Sequence, residues 1–383
     1  MKTLIKIFSV IIVNLCVFYQ NALSSDKIKI GLIVPLSGEY SEIGNSIVKS
    51  TRMAVNKIND DRIEIIPMDT RSNPIDALRV SKILHNAGVR IIIGPVFNES
   101  TKYLDELKDI TFLSFTNKII NNPTNVISAG VNAVSQINTI KEFSVNNNLN
   151  KTIFLIPKTD YKKEIEIAID KTNIKLKDVF IYDKEPTLLT KQIELLTRYP
   201  ERKKRLKDEI KKIENSSIKN KEEKIEKLKK KDTIGGINFD SVIIADFDES
   251  LKSVATSLLY TDVSSKRIYY ITLNQWFDDT LLKETTLHPI YFPSINKKNF
   301  IEFTKNFSSI YNSEPNQLSF LSYDLIGLVY FLLYDNNFKI SKKIFYKKNK
   351  FKGKIGIFEI NKNVITHKLN FYSIENNKFK KIF

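Results

Sequence analysis

Nine residues have the type and position to take part in binding chemistry: Ser37, Tyr40, Asn98, Ser100, Ser114, Thr116, Tyr161, Asp246 and Trp276. Each falls at or just beyond the end of a short apolar run. Ser100 and Thr116 could offer hydroxyl and backbone donors to a carboxylate, and Asp246 could accept from an ammonium group. Tyr40, Tyr161 or Trp276 could cover an apolar side chain. Ser37, Ser100 and Thr116 are equally ordinary helix caps and turn residues, and a lone Trp packs more often into a core than against a ligand.

Catalysis finds no comparable set. His85, His288 and His367 are scattered, and no G-x-S-x-G, H-E-x-x-H or phosphate loop occurs. No His or carboxylate cluster has metal-ligand spacing, so neither an enzyme nor a cofactor is expected.

The elements that must position these residues alternate regularly. Ile28 to Leu36 is a nearly all-apolar strand, as a strand buried on both faces should be. The helix after it begins near Ser41 and carries Ile43, Ile47, Ala54 and Ile58 on one stripe. Further strands are expected at 63–68, 90–94, 110–115 and 126–129, with helices from Asn73-Pro74 to Gly88 and from about Ser100. A second series follows, with strands at 152–157, 179–182, 241–246 and 268–273 and a helix from about Tyr161. Helices are expected over 299–311 and 317–334, the second buried, and an antiparallel hairpin from Lys354 onward. Such alternation predicts α/β architecture with parallel strands and helical crossovers.

Lys2 and Lys6, the apolar run from Ile7 to Tyr19 and Ala22-Leu23-Ser24 form a secretory signal cleaved after Ser24. The single cysteine, Cys16, lies within it, and Leu15 stands where a lipoprotein site needs a small residue, so no lipid anchor is expected. The mature chain then has no thiol for disulfides or catalysis. A periplasmic location follows. The formal net charge is +17, but export and the absence of an aromatic-plus-basic module argue against nucleic acid.

The segment 201–231 departs from the scheme. It holds 14 Lys/Arg and 7 Asp/Glu with sparse apolar residues at Leu206, Ile210, Ile213, Ile225 and Leu228. That spacing suits two thin amphipathic helices joined around Asn215-Ser216-Ser217, either a solvated insertion or a partner-docking arm.

Lys29 to Ile58 resembles the opening of the type 1 periplasmic binding proteins, the leucine-binding-protein superfamily. Asp69, Ile92-Ile93-Gly94-Pro95, Ser114, Tyr323-Asp324 and Phe351-x-Gly353-x-x-Gly356-x-Phe358 extend the match. The resemblance implies two Rossmann-like lobes joined by a hinge, with the charged hairpin inserted in the second. The chain should cross near residues 145, 275 and 347, giving one lobe of 26–145 plus 275–347 and another of 146–274 plus 348–383. It also implies a small polar ligand, amino-acid-like, held between the lobes and presented to an inner-membrane transporter. In detail the chain is similar to the penicillin-binding-protein activators. The carriers are Leu155-Ile156-Pro157 with Tyr161, Arg198 to Arg202, Phe239 to Val242 and Asn274 to Asp278. That branch implies contact with a cell-wall synthase instead. Ser114-Phe115-Thr116-Asn117 departs from the Pro-Ala-x-Thr ligand loop of the transport receptors.

Overall fold

The computed structural model describes residues 27–383; the expected leader at 1–24 lies outside them. A first sheet of five parallel strands has the order β2-β1-β3-β4-β5. Its strands are β1 (Ile28–Val34), β2 (Ile63–Asp69), β3 (Ile91–Ile93), β4 (Thr111–Ser114) and β5 (Val126–Ser128). Helix α1 (Ser41–Ile58) follows β1, and α2 (Pro74–Asn86) opens with Asn73 Oδ1 accepting from Ile75 N at 2.8 Å. Asn59 ends α1 in the left-handed conformation.

The helix expected from Ser100 is only two short 3₁₀ turns, Asn98–Thr101 and Leu104–Glu106. The Asn125 side chain explains the difference. Its Nδ2 donates to the carbonyls of Leu104 and Leu107 at 2.9 and 3.0 Å, beside the three-residue backbone bonds these accept from Leu107 N and Ile110 N, so the short turns are satisfied without a continuing helix.

Five strands of the second sheet run parallel: β6 (Thr152–Pro157), β7 (Asp178–Tyr182), β8 (Ser241–Ile244), β9 (Tyr269–Thr272) and β10 (Ile290–Ser294). Two antiparallel strands, β14 (Asn370–Glu375) and β15 (Lys378–Lys381), complete the order β15-β14-β10-β9-β8-β6-β7. A three-stranded antiparallel sheet of β11 (Asn349–Lys352), β12 (Ile357–Asn361) and β13 (Val364–Lys368) lies between them in sequence.

The crossings differ from those expected. Helix α3 (Ala133–Asn146) packs Ile137, Ile140 and Phe143 with Phe154, Ile156 and Phe371 of the second sheet, so the first crossing precedes it, near 130 rather than 145. Strand β10 belongs to the second sheet, which moves the second crossing from 275 to about 295. Pro293 hid this strand, because proline ordinarily breaks a ladder; here it lies beyond the two residues that pair with β9.

Helix α4 (Lys162–Thr172) covers β6, α5 (Pro186–Thr197) follows β7 and α8 (Asp248–Tyr260) follows β8. Between α5 and β8 stands the charged hairpin, α6 (Tyr199–Glu214) and α7 (Lys221–Lys229). It is tied down only at its base. Buried Arg202 donates to Thr261 O at 3.0 Å and to Thr233 Oγ1 at 2.6 Å, while α7 buries no residue. After a short α9 (Thr280–Lys283), α10 (Lys297–Tyr311) and α11 (Gln317–Asp335) return to the first lobe.

Helix α11 meets α1 through a seam of hydroxyls. Ser46 Oγ lies 2.7 Å from Ser319 Oγ, Thr51 Oγ1 lies 2.8 Å from Ser322 Oγ, and Ser50 Oγ donates to Ser319 O at 2.5 Å. Among the described residues α11 alone is long and apolar enough to cross a membrane, yet much of its surface is buried in protein.

Candidate ligand-binding cleft

Parallel strands leave their carboxyl ends and the following turns on one edge, and that edge is where open α/β sheets bind ligands. Here the edges of both sheets face each other across a cavity of about 600 Å³. Phe97, Asn98, Phe115 and Thr116 come from the first lobe, Tyr161, Phe247, Asn274 and Trp276 from the second, and Leu318 and Leu321 from α11.

The turn after β4 is built by its own hydroxyls. Ser114 Oγ donates to Pro95 O at 2.8 Å and accepts from Thr116 N at 3.3 Å, and Lys118 N donates to Thr116 Oγ1 at 3.2 Å. Gly130 passes so close that a Cβ there would lie 2.6 Å from Phe115 O, and its N–H donates to Thr116 O at 3.0 Å.

On the opposite wall Trp276 is held in the left-handed region, with φ of 49°, and Phe277 beside it has φ of 58°. Large aromatic residues occupy that region at a cost of about 1–3 kcal/mol, and such strain gathers at ligand clamps. Asn274 over-determines the turn: its Oδ1 accepts from Trp276 N at 3.0 Å and from Ser294 Oγ at 2.8 Å, and its own N–H donates to Gln136 Oε1 at 2.9 Å. The Nδ2 of Asn274 and the Oδ1 of Asn98 are buried without partners. Burial, with the Glu164 carboxylate beside it, pushes the Tyr161 phenol well above its ordinary range, so it stays neutral and able to donate.

Of the nine expected residues the cleft brings together four, Asn98, Thr116, Tyr161 and Trp276. Ser37 is exposed and donates to Asp69 Oδ2 at 2.5 Å, and exposed Tyr40 packs against Phe97, ring centroids 4.8 Å apart, without lining the cavity itself. Ser100 and Ser114 are buried behind the wall. Asp246 is buried too, accepting from Tyr182 Oη at 2.6 Å and Lys184 Nζ at 2.8 Å, so its carboxylate already has its partners. The apolar wall was missed in the sequence, although Phe115 and Phe247 directly neighbour Thr116 and Asp246. Gln136, in the first turn of α3, carried no signal.

Residues 27–166 match the family model described as periplasmic binding protein. Solved structures extend the likeness to nearly the whole chain. A putative branched-chain amino acid ABC transporter protein from Rhodospirillum rubrum superposes with a TM-score of 0.69, at 11% identity over 93% of this chain and 100% of that one. The fold is that of a type 1 periplasmic binding protein. The leucine-binding protein LivK of Thermotoga maritima shares the periplasmic binding protein fold at a TM-score of 0.56, with 14% identity over 93% of this chain and 98% of that one. So does the C-domain of LpoA from Haemophilus influenzae, a regulator of PBP1A, at 0.61, with 13% identity over 93% and 100%. Among curated proteins none matches this sequence.

Proposed function

We propose that this chain is an exported, non-catalytic binding protein whose interlobal cleft holds a small molecule with an apolar body. The observation that carries this reading is the cavity of about 600 Å³ walled by aromatic and aliphatic side chains from both lobes, with Trp276 kept on its wall in a strained conformation. Cavities of this size, mostly apolar with a few fixed polar groups, are the usual form of small-molecule sites. Proteins of the same fold carry ligands described as isoleucine and 3,4-dihydroxybenzoic acid. Asn98 Oδ1 and Asn274 Nδ2 supply one free acceptor and one free donor for the ligand's polar atoms. Delivery to an inner-membrane transporter fits this reading.

A thermal-shift panel of aliphatic and aromatic amino acids and aromatic acids at millimolar concentration tests it. A micromolar binder then stabilises by about 4 kcal/mol, a shift of several degrees. A flat response across the panel that persists in calorimetry with the same compounds overturns the reading.

A second reading, a regulator of wall synthesis acting by protein contact, is favoured by the hairpin, in which no residue of α7 is fully buried, and by the likeness to the LpoA C-domain. Replacing residues 207–229 with a short Gly-Ser linker keeps Arg202 and Thr233 in place. Loss of binding to a purified penicillin-binding protein of the same cell would support it; unchanged binding removes the hairpin as the contact.

A further inference from the structure

The cleft does not end at its apolar chamber. A second cavity, also about 600 Å³, abuts it between residues 98–105 and 118–123 of the first lobe and 160–164 of the second, and Asn98, Glu99 and Lys118 line both. The two chambers differ in chemistry. In the inner one the only ionisable acid and ammonium groups, Glu99 and Lys118, sit at the shared boundary. The outer one adds Lys102 and Lys163 and the carboxylates of Asp105 and Asp160.

Among the described residues none of these six charged side chains is engaged in an ion pair. Groups of both signs therefore surround one concave space without neutralising one another. Glu164, the remaining carboxylate of the outer chamber, is occupied: it accepts from Ile119 N at 3.1 Å and Ile120 N at 3.2 Å. A single amino acid with its side chain in the apolar chamber brings its zwitterion only as far as Glu99 and Lys118, leaving the outer groups facing water.

We infer that the ligand is two-ended and longer than one amino acid: a short linear peptide, with an apolar residue between Trp276 and Leu321 and its charged end among Lys102, Lys163, Asp105 and Asp160. This rests on the binding reading above. Mixed signs select an end that carries both charges, as a C-terminal lysine does with its carboxylate and side-chain ammonium, over a simple anion, because any single-sign group would meet repulsion from half of the chamber.

Isothermal titration of the mature chain with L-leucine, L-phenylalanine, and di- and tripeptides carrying one Leu or Phe and one Gly or Lys tests the inference. The expected result is peptide binding at least tenfold tighter than either free amino acid. In the Lys102→Ala/Lys163→Ala variant, whose side chains lie outside the apolar chamber, that advantage should disappear while free amino acids bind as before. Trp276→Ala should weaken both kinds of probe. Free amino acids that bind as tightly as any peptide overturn the two-ended ligand and leave the binding reading standing. Peptide binding that the double variant does not alter overturns the placement of the charged end. No binding by any probe, in a protein that melts cooperatively, overturns the binding reading together with the inference.

Discussion

Two buried carboxylates clasp backbone N–H groups at opposite sides of the cleft, and they differ in what they hold. Asp324 of α11 sits at the hinge, accepting from Lys354 N at 2.8 Å and Ile355 N at 2.7 Å, while Ile355 O accepts from Asn296 N at 2.9 Å. Gly353 is obligatory beside it, since a Cβ there would lie 2.4 Å from Asp324 Oδ2. Glu164 of α4 sits at the mouth and reaches across to the first lobe through longer bonds of 3.1 to 3.2 Å. The hinge clasp joins α11 to the turn between β11 and β12. The mouth clasp exists only while the lobes are together. The same chemistry thus serves permanence in one place and reversible closure in the other.

The sharpest way to break that contrast is Asp324→Ala. Two buried N–H groups lose their acceptor at about 1–3 kcal/mol each, so the melting temperature should fall by roughly 10 °C. A fall no larger than that of Glu164→Ala would erase the distinction.

The pH dependence comes next. Burial raises the Asp324 carboxyl to about 6, against the opposing pull of Ile355 and Lys354. The fold then retains a proton that the unfolded chain has released by pH 4 to 5. Asp324's contribution is fully present below about pH 4 and is lost as pH rises through 6, on the order of 3 kcal/mol. His367 on β13 runs the other way. Its Nε2 donates to Ala129 O at 2.9 Å, in the first crossing, and burial lowers it to about 4. Its contribution is present above about pH 6.5 and is lost as pH falls toward 4, by a similar amount. The two offset each other in the wild type. Asp324→Asn should therefore make stability fall steeply on acidification from 6.5 to 4, and His367→Gln should make it rise. Parallel stability-pH curves for wild type and both variants would show that neither group titrates in this window.

The smallest effect belongs to the mouth. Glu164→Gln keeps an acceptor but loses charge assistance, so it should shift the closed population by about 1 kcal/mol. Hydrogen exchange at Ile119 and Ile120 should quicken several-fold, and small-angle scattering should show a larger radius, with little change in melting temperature. Slow exchange retained at those amides would mean that the turn holds itself.

Much of this was legible beforehand because apolar runs and caps act locally. The strands from β1 to β9 and the thin hairpin follow directly from periodicity, and Asn73-Pro74 opens α2 as expected. What failed was non-local. The α1–α11 contact rests on Ser and Thr, which an apolar stripe ignores, and Asn125 ended a helix from 18 residues away. The run from His367 to Ile374 reads as one strand but divides at Leu369 between two sheets. For the cleft, turn residues were found where they line the cavity, whereas Ser100 and Asp246 had the right chemistry but are buried outside its lining. No sequence pattern records that Asp246 is taken by Tyr182 and Lys184.

Helices α1, α4 and α10 each stop on an asparagine in the left-handed conformation, Asn59, Asn173 and Asn312, where glycine is the commoner choice. The protein has only 11 glycines in 383 residues. Asparagine tolerates that geometry through its short polar side chain, so a chain drifting toward Lys, Asn and Ile can replace its punctuation without redrawing its backbone. Identities of 11 to 14% stand beside a shared architecture: the spelling differs, the syntax is the same.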